Sequence, residues 1–93
     1  MHILFAEDDS QLRKSIARGL REASYAVDEA ATGTQALTLA AATEYDAIIL
    51  DVLLPGKSGK IVCRAIRERG NQVPILMLTA LDGVEDRIAG LDA

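Results

Sequence analysis

Apolar residues follow two rhythms along this chain. Short runs bounded by turn residues have the length and composition of buried strands: HILFA from His2 to Ala6, AIIL from Ala47 to Leu50, and ILML from Ile75 to Leu78. Four apolar residues in a row, ended by breakers, suit a strand covered on both faces, as in a parallel sheet. Between these runs the apolar residues recur at helical spacing. Leu12, Ile16, Leu20 and Ala23, with Ala17 alongside, predict a first helix with Ser10 as its N-cap. Gln35 to Ala42 reads as an Ala-rich helix packed through Leu37, Ala40 and Ala41. Lys60 to Arg69 predicts a third helix, with Ile61, Val62, Ala65 and Ile66 inward and Gly70-Asn71 as its stop. Val84 to Asp92 predicts a fourth, with Val84, Ile88 and Leu91 facing in. Ala26 to Ala30 (AVDEA) is a weaker strand, and its alternation points to an edge position with one wetter face. Pro74 starts the last strand, where its missing donor is tolerated, and that strand ends at Thr79-Ala80.

The order is strand then helix, four times over. Repeated right-handed crossovers then predict an α/β fold, a doubly wound parallel sheet with helices on both faces. Ligand crevices in such sheets lie at the carboxyl ends of the strands, at the switch point of strand order. Here that point falls between the first and third strands, which run into Glu7-Asp8 and Asp51. The stretch DAIILDVLLPGKSG, from Asp46 to Gly59, presents Asp51 at the mouth of the sheet, followed by a Leu54-Pro55-Gly56 turn.

Composition narrows the class. The 93 residues make one domain, 49% apolar and only 3% aromatic, so its core is aliphatic. A net charge of −4 speaks against nucleic acid as the direct partner. The single Cys63 rules out an internal disulfide. With no apolar run near the length of a membrane span and no signal sequence at Met1-His2-Ile3, a cytoplasmic location is expected.

Three carboxylates at neighbouring strand ends repel one another, so at least one is expected to have a raised pKa. A divalent cation resolves the repulsion. Mg²⁺ takes oxygen ligands only and keeps waters while accepting one or two carboxylates. Asp8 and Asp51 can bind it directly, Glu7 through water, and the backbone carbonyl of Leu53 can be a further ligand. A carboxylate can also act as nucleophile toward phosphorus, where catalysis is mostly positioning and charge neutralisation. Thr79 can offer a hydroxyl to a phosphoryl oxygen, and the Ala80 amide and the turn after Asp51 can offer N–H donors. Taken singly, each feature is ordinary. An acidic run often starts a helix, Asp caps turns, and Thr commonly ends strands. The basic set Arg13, Lys14, Arg18 and Arg21 reads as a solvated helix surface, Cys63 as small filler, and His2 as a residue without a metal partner. The combination, with every acid or hydroxyl at a strand's carboxyl end, is specific.

The segments ILFAEDDSQLR, ATGTQAL, YDAIILDVLLPGKSG, VPILMLTA and DRIAGLDA together resemble the receiver domain of bacterial two-component response regulators, across nearly the whole chain. The Leu-Pro-Gly turn, the Leu-Thr-Ala strand end and the Gly-Leu-Asp-Ala close look most like the OmpR/PhoB-like subgroup. The resemblance implies a flavodoxin-like fold and Mg²⁺ as cofactor. It implies that Asp51 accepts a phosphoryl group from a phosphohistidine on a sensor histidine kinase. It also implies that Glu7, Asp8 and Asp51 are the metal acids and Thr79 the switch hydroxyl; Asp9 falls outside the matching pair. Members of the subgroup join the receiver to a winged-helix DNA-binding domain, and DNA binding would come only through such a domain. The family continues with a strand ending in Lys-Pro and a last helix. This chain stops at Ala93, before them, and none of Lys14, Lys57 and Lys60 matches the family's catalytic lysine. The reading is thus a receiver with four strands and four helices, C-terminally incomplete. A sheet edge left open in that way invites pairing with another chain, so self-association through Pro74 to Asp92 is expected.

Three other readings compete. A non-phosphorylated interaction or dimerisation module would keep the fold without the chemistry; the missing lysine favours it and the intact acid set opposes it. An aspartate-nucleophile hydrolase needs a second acid two residues after the nucleophile, where this chain has Leu53. A nucleotide-binding domain needs a glycine-rich cradle after the first strand, where this chain has Glu7-Asp8-Asp9.

Overall fold

The computed structural model describes residues 1–78, and every strand among these described residues lies in one parallel sheet. The elements are β1 (His2–Ala6), α1 (Ser10–Glu22), β2 (Ala26–Ala30), α2 (Gly33–Ala42), β3 (Ala47–Asp51), α3 (Gly59–Glu68) and β4 (Ile75–Leu78). The strand order is β2-β1-β3-β4. The chain turns one way from β1 to β2 and the other way to β3, so the switch point lies between β1 and β3, as the alternation of elements required. Thr79, Ala80 and the expected fourth helix from Val84 to Asp92 lie outside the described residues, as does most of the segment expected to self-associate.

Side chains alternate between the two faces of the sheet, and each face has its own core. Leu4, Ala6, Ala30, Ile48, Leu50, Ile75 and Met77 pack on one side with Ala36 of α2 and with Val62, Cys63 and Ile66 of α3. Ile3, Phe5 and Val27 pack on the other with Ala17 of α1, flanked by Ile16 and Leu20. Helices therefore cover both faces, which is why residues 3–6 of β1 and 47–50 of β3 are unbroken apolar runs. Among the described residues no helix is long and apolar enough to cross a membrane.

Several local expectations are corrected. The N-cap of α1 is Asp9, whose side chain accepts from the amides of Gln11 and Leu12; Ser10 is the first helical residue. Asp and Ser are nearly equal as caps, so only the backbone path decides between them. On α2 the buried residues are Gly33 and Ala36, and Ala41 is exposed. On α3 Cys63 takes the inward place expected of Ile61, which is 49% exposed, and the helix begins one residue earlier, at Gly59. Leu12 is also exposed. The strand after Pro74 begins at Ile75, although the Pro74 carbonyl accepts from the Ile48 amide at 2.9 Å.

The edge strand β2 carries a carboxylate on each face, not one wet face. Asp28 accepts from the Tyr45 hydroxyl at 2.7 Å and pairs with His2 at 3.0 Å. Glu29, on the α1 side, accepts from Arg13 at 3.2 Å and Arg21 at 3.1 Å. Two of the four basic residues expected on a solvated surface thus tether α1 to β2.

Candidate metal and phosphoacceptor site

Ala6 of β1 pairs with Leu50 of β3. The next residue on each strand is an acid, Glu7 on one and Asp51 on the other, so parallel pairing alone sets them side by side. Asp8 follows in the turn. The structure brings these three together: one carboxylate oxygen from each lies within 4.8 Å of the others. Glu7 and Asp51 are buried, and Asp8 is exposed at the opening.

The electrostatics follow from that packing. Burial, the largest cause, raises the pKa of Glu7 from 4.5 to about 7, and the neighbouring Asp51 and Asp8 carboxyls push it the same way against the opposing Asp9 amide. That amide donates to Glu7 Oε2 at 2.9 Å. The Leu53 amide donates to Asp51 Oδ1 at 3.1 Å. The raised pKa expected of one strand-end acid thus falls on the most enclosed member, with burial ahead of the neighbouring carboxyls as its cause.

The donor set fits a hard cation. Mg²⁺–O distances are about 2.1 Å, so two oxygens on one ion stand at most about 4.2 Å apart. The 4.8 Å span closes to that with a shift of a few tenths of an ångström, or accommodates one ligand through water.

The loop after Asp51 is held from two sides. Gly59 donates its amide to the Val52 carbonyl at 2.9 Å, and Val52 donates to Leu78 at 2.8 Å. A Cβ on Gly59 would collide with the Asp51 carbonyl. Across the loop, Gly33 donates to the Pro55 carbonyl at 3.0 Å, and a Cβ there would collide with the Lys57 carbonyl. Gly56 turns the chain with φ +82°, a conformation that favours glycine. Asp51 thus sits on a strand end whose following loop has little freedom. Leu53 is 58% exposed in that loop. Thr79 lies outside the described residues.

Sequence reasoning missed Asp9 and Arg13. Asp9 holds both α1 and the Glu7 carboxyl, and Arg13 donates to the Glu7 carbonyl at 2.8 Å. The Asp-Ser pair before the helix was a visible signal for the first. No local signal existed for the second, because its other partner is 16 residues away.

Fold and rim together define an α/β domain of the doubly wound, flavodoxin-like class. A family model described as the response regulator receiver domain matches residues 3–93. The response regulator MprA of Mycobacterium avium is 45% identical over 93 residues, covering 100% of this chain and 41% of that protein. MprA of Mycobacterium leprae matches at the same 45% identity, again over 41% of its length. The chain therefore spans about two fifths of these relatives. The receiver domain of Francisella response regulator 1452 superposes with a TM-score of 0.88 at 30% identity, covering 98% of this chain and 75% of that one. The response regulator TrrA of Thermotoga maritima, solved in complex with Mg(2+)-BeF, gives a TM-score of 0.83 at 34% identity, over 87% of this chain and 70% of that one. This chain belongs to the response regulator receiver domain family. The recognition made from its motifs is borne out.

Proposed function

We propose that Asp51 is the phosphoacceptor of this receiver, taking a phosphoryl group from a phosphohistidine on a sensor histidine kinase. The observation that carries the reading is the convergence of Glu7, Asp8 and Asp51 within 4.8 Å at the switch point of the sheet. In the transfer, an Asp51 oxygen attacks phosphorus, the P–N bond to the imidazole breaks, and an acyl phosphate forms. The Leu53 amide, 3.1 Å from Oδ1, orients the carboxylate for that attack. Glu7, Asp8 and Asp51, with the Leu53 carbonyl, would hold Mg²⁺. When bound, Mg²⁺ neutralises charge on the transferring phosphoryl oxygens. The relative TrrA, solved with Mg(2+)-BeF, supports this assignment. Thr79 is assigned the switch hydroxyl; it follows Leu78, whose carbonyl is bonded to Val52 beside Asp51.

The protein is read as a signalling domain that assists its own phosphorylation, not a conventional enzyme. Exchange with a sensor kinase would take place in the cytoplasm, and the output under its control is read as transcriptional, as the sequence resemblance implies. The unphosphorylated-module reading is disfavoured because the acid set is complete and assembled.

Incubation with a small phosphodonor and Mg²⁺, followed by intact-mass measurement, tests the proposal. The wild type gains one phosphoryl mass and Asp51→Asn gains none. No gain in the wild type, or an equal gain in the variant, rejects Asp51 as acceptor.

A further inference from the structure

Glu7 is held by more than its strand. Its amide donates to the Ala30 carbonyl at 3.0 Å, and its Oε2 accepts from the Asp9 amide at 2.9 Å. Its carbonyl accepts from the Arg13 guanidinium at 2.8 Å. The first two bonds come with the sheet and the turn. The third is a side chain reaching back from α1. The same guanidinium donates from Nε to Glu29 at 3.2 Å, and the other Glu29 oxygen accepts from Arg21 at 3.1 Å. The Arg13 side chain is only 14% exposed, so this bridge is shielded in a way that most surface ion pairs are not.

The geometry points to Arg13 as a positioning residue for the cation site, clamping the Glu7 backbone so that its carboxyl stays beside Asp8 and Asp51, with Glu29 as the anchor of the clamp. This rests on reading those three acids as the Mg²⁺ site. The acids repel one another when the cation is absent, and any slack in the Glu7 backbone lets that repulsion carry its carboxyl, with the Asp9 turn that holds it, away from the other two. Arg suits the task because its planar fork serves a carbonyl and a carboxylate together, which an ammonium cannot do in one geometry. Holding a ligand's support rigid is what sets affinity at such sites.

Two effects of Arg13 have opposite signs, and that separates them. As a nearby positive charge, Arg13 weakens cation binding, and its removal tightens it. As a clamp, Arg13 strengthens binding, and its removal weakens it. Mg²⁺ affinity of the full chain, by calorimetric titration and by the amide shifts of Asp8 and Asp51, reads the balance. Arg13→Ala weakens Mg²⁺ about tenfold. Glu29→Gln weakens it less, and Arg13→Lys recovers only part of the loss. Lys14→Ala, which removes the same charge from the exposed next position, leaves affinity unchanged or slightly tighter. Urea unfolding without Mg²⁺ shows whether each variant is folded; should Arg13→Ala be unfolded, Glu29→Gln and Arg13→Lys decide. Equal or tighter binding in folded Arg13 variants, or an equal loss in Lys14→Ala, overturns the inference while leaving the metal site standing. A wild type that does not bind Mg²⁺ overturns the site itself and the clamp with it.

Discussion

Gly59 lies flat against the backbone of Asp51: a Cβ at position 59 would meet the Asp51 carbonyl oxygen and stand 3.0 Å from its carbonyl carbon. The first residue of α3 is thereby locked onto the strand end that presents the proposed phosphoacceptor. Neither group has a flexible side chain that can give way. Gly59→Ala should therefore destabilise the fold by about 1–3 kcal/mol, measured by urea unfolding. It should also slow phosphorylation of Asp51 by displacing the carboxylate. A variant as stable and as reactive as wild type would show that the loop relaxes without moving Asp51.

Proton and cation compete for the acidic rim. Glu7 ionises at 4.5 in the unfolded chain and at about 7 when folded. Between those values the unfolded state has lost a proton that the folded state keeps. Without Mg²⁺, stability therefore falls as pH rises through that window, by on the order of 3 kcal/mol in total. Mg²⁺ binds the ionised set, so its stabilising effect grows as pH rises across the same window. Glu7→Gln should flatten the metal-free profile and be more stable than wild type above pH 7. Parallel urea midpoints for the two proteins across the whole range would refute the assignment.

Helices α1 and α3 end in the same way with different residues. In each, the second residue past the cap donates to the third from last helical carbonyl: Tyr25 to Leu20 at 3.1 Å, and Asn71 to Ile66 at 3.3 Å. The left-handed residue between is Gly70 after α3, with φ +81°, but Ser24 after α1, with φ +77°. A side chain there carries a penalty of about 1 kcal/mol that glycine avoids. Ser24→Gly should raise the unfolding midpoint, and Gly70→Ala should lower it by a similar amount. Movement of both in one direction would contradict the shared geometry.

Tyr45 closes the opposite end of the sheet from the acidic rim. Its hydroxyl donates to Asp28 at 2.7 Å, and its pKa is pushed up to about 12, first by burial and then by Asp28. Tyr45→Phe should lose about 1 kcal/mol at neutral pH. A raised phenol favours the folded state only while it stays neutral, so the stability gap between wild type and variant narrows above pH 10.0 and closes near 12. A spectroscopic tyrosinate titration, compared with that of Tyr45→Phe, in which the Tyr45 phenol ionises at the ordinary 10.0 would count against this placement.

The strands, their order and the acidic rim were legible in the chain because each depends on local facts. A buried strand has to be apolar on both faces, and the residue after it emerges at the rim. Ala6 and Leu50 therefore carry Glu7 and Asp51 into place through pairing alone. Which apolar residues point inward on a short helix was less legible: Ile61 and Cys63 differ by two positions, and the angle at which α3 meets the sheet selects between them. Arg13 was unreadable as more than a surface cation. Its two partners, Glu7 just past β1 and Glu29 within β2, lie on different parts of the chain, and no sequence spacing relates them.

By itself the sequence determined the parallel sheet, the switch point and the identity of the acids, because hydrophobic periodicity and strand ends are properties of neighbours along the chain. Tertiary structure decided how near those acids stand, which one bears the raised pKa, and what holds them there. Those are properties of neighbours in space, where burial and charge act across elements that the chain keeps far apart.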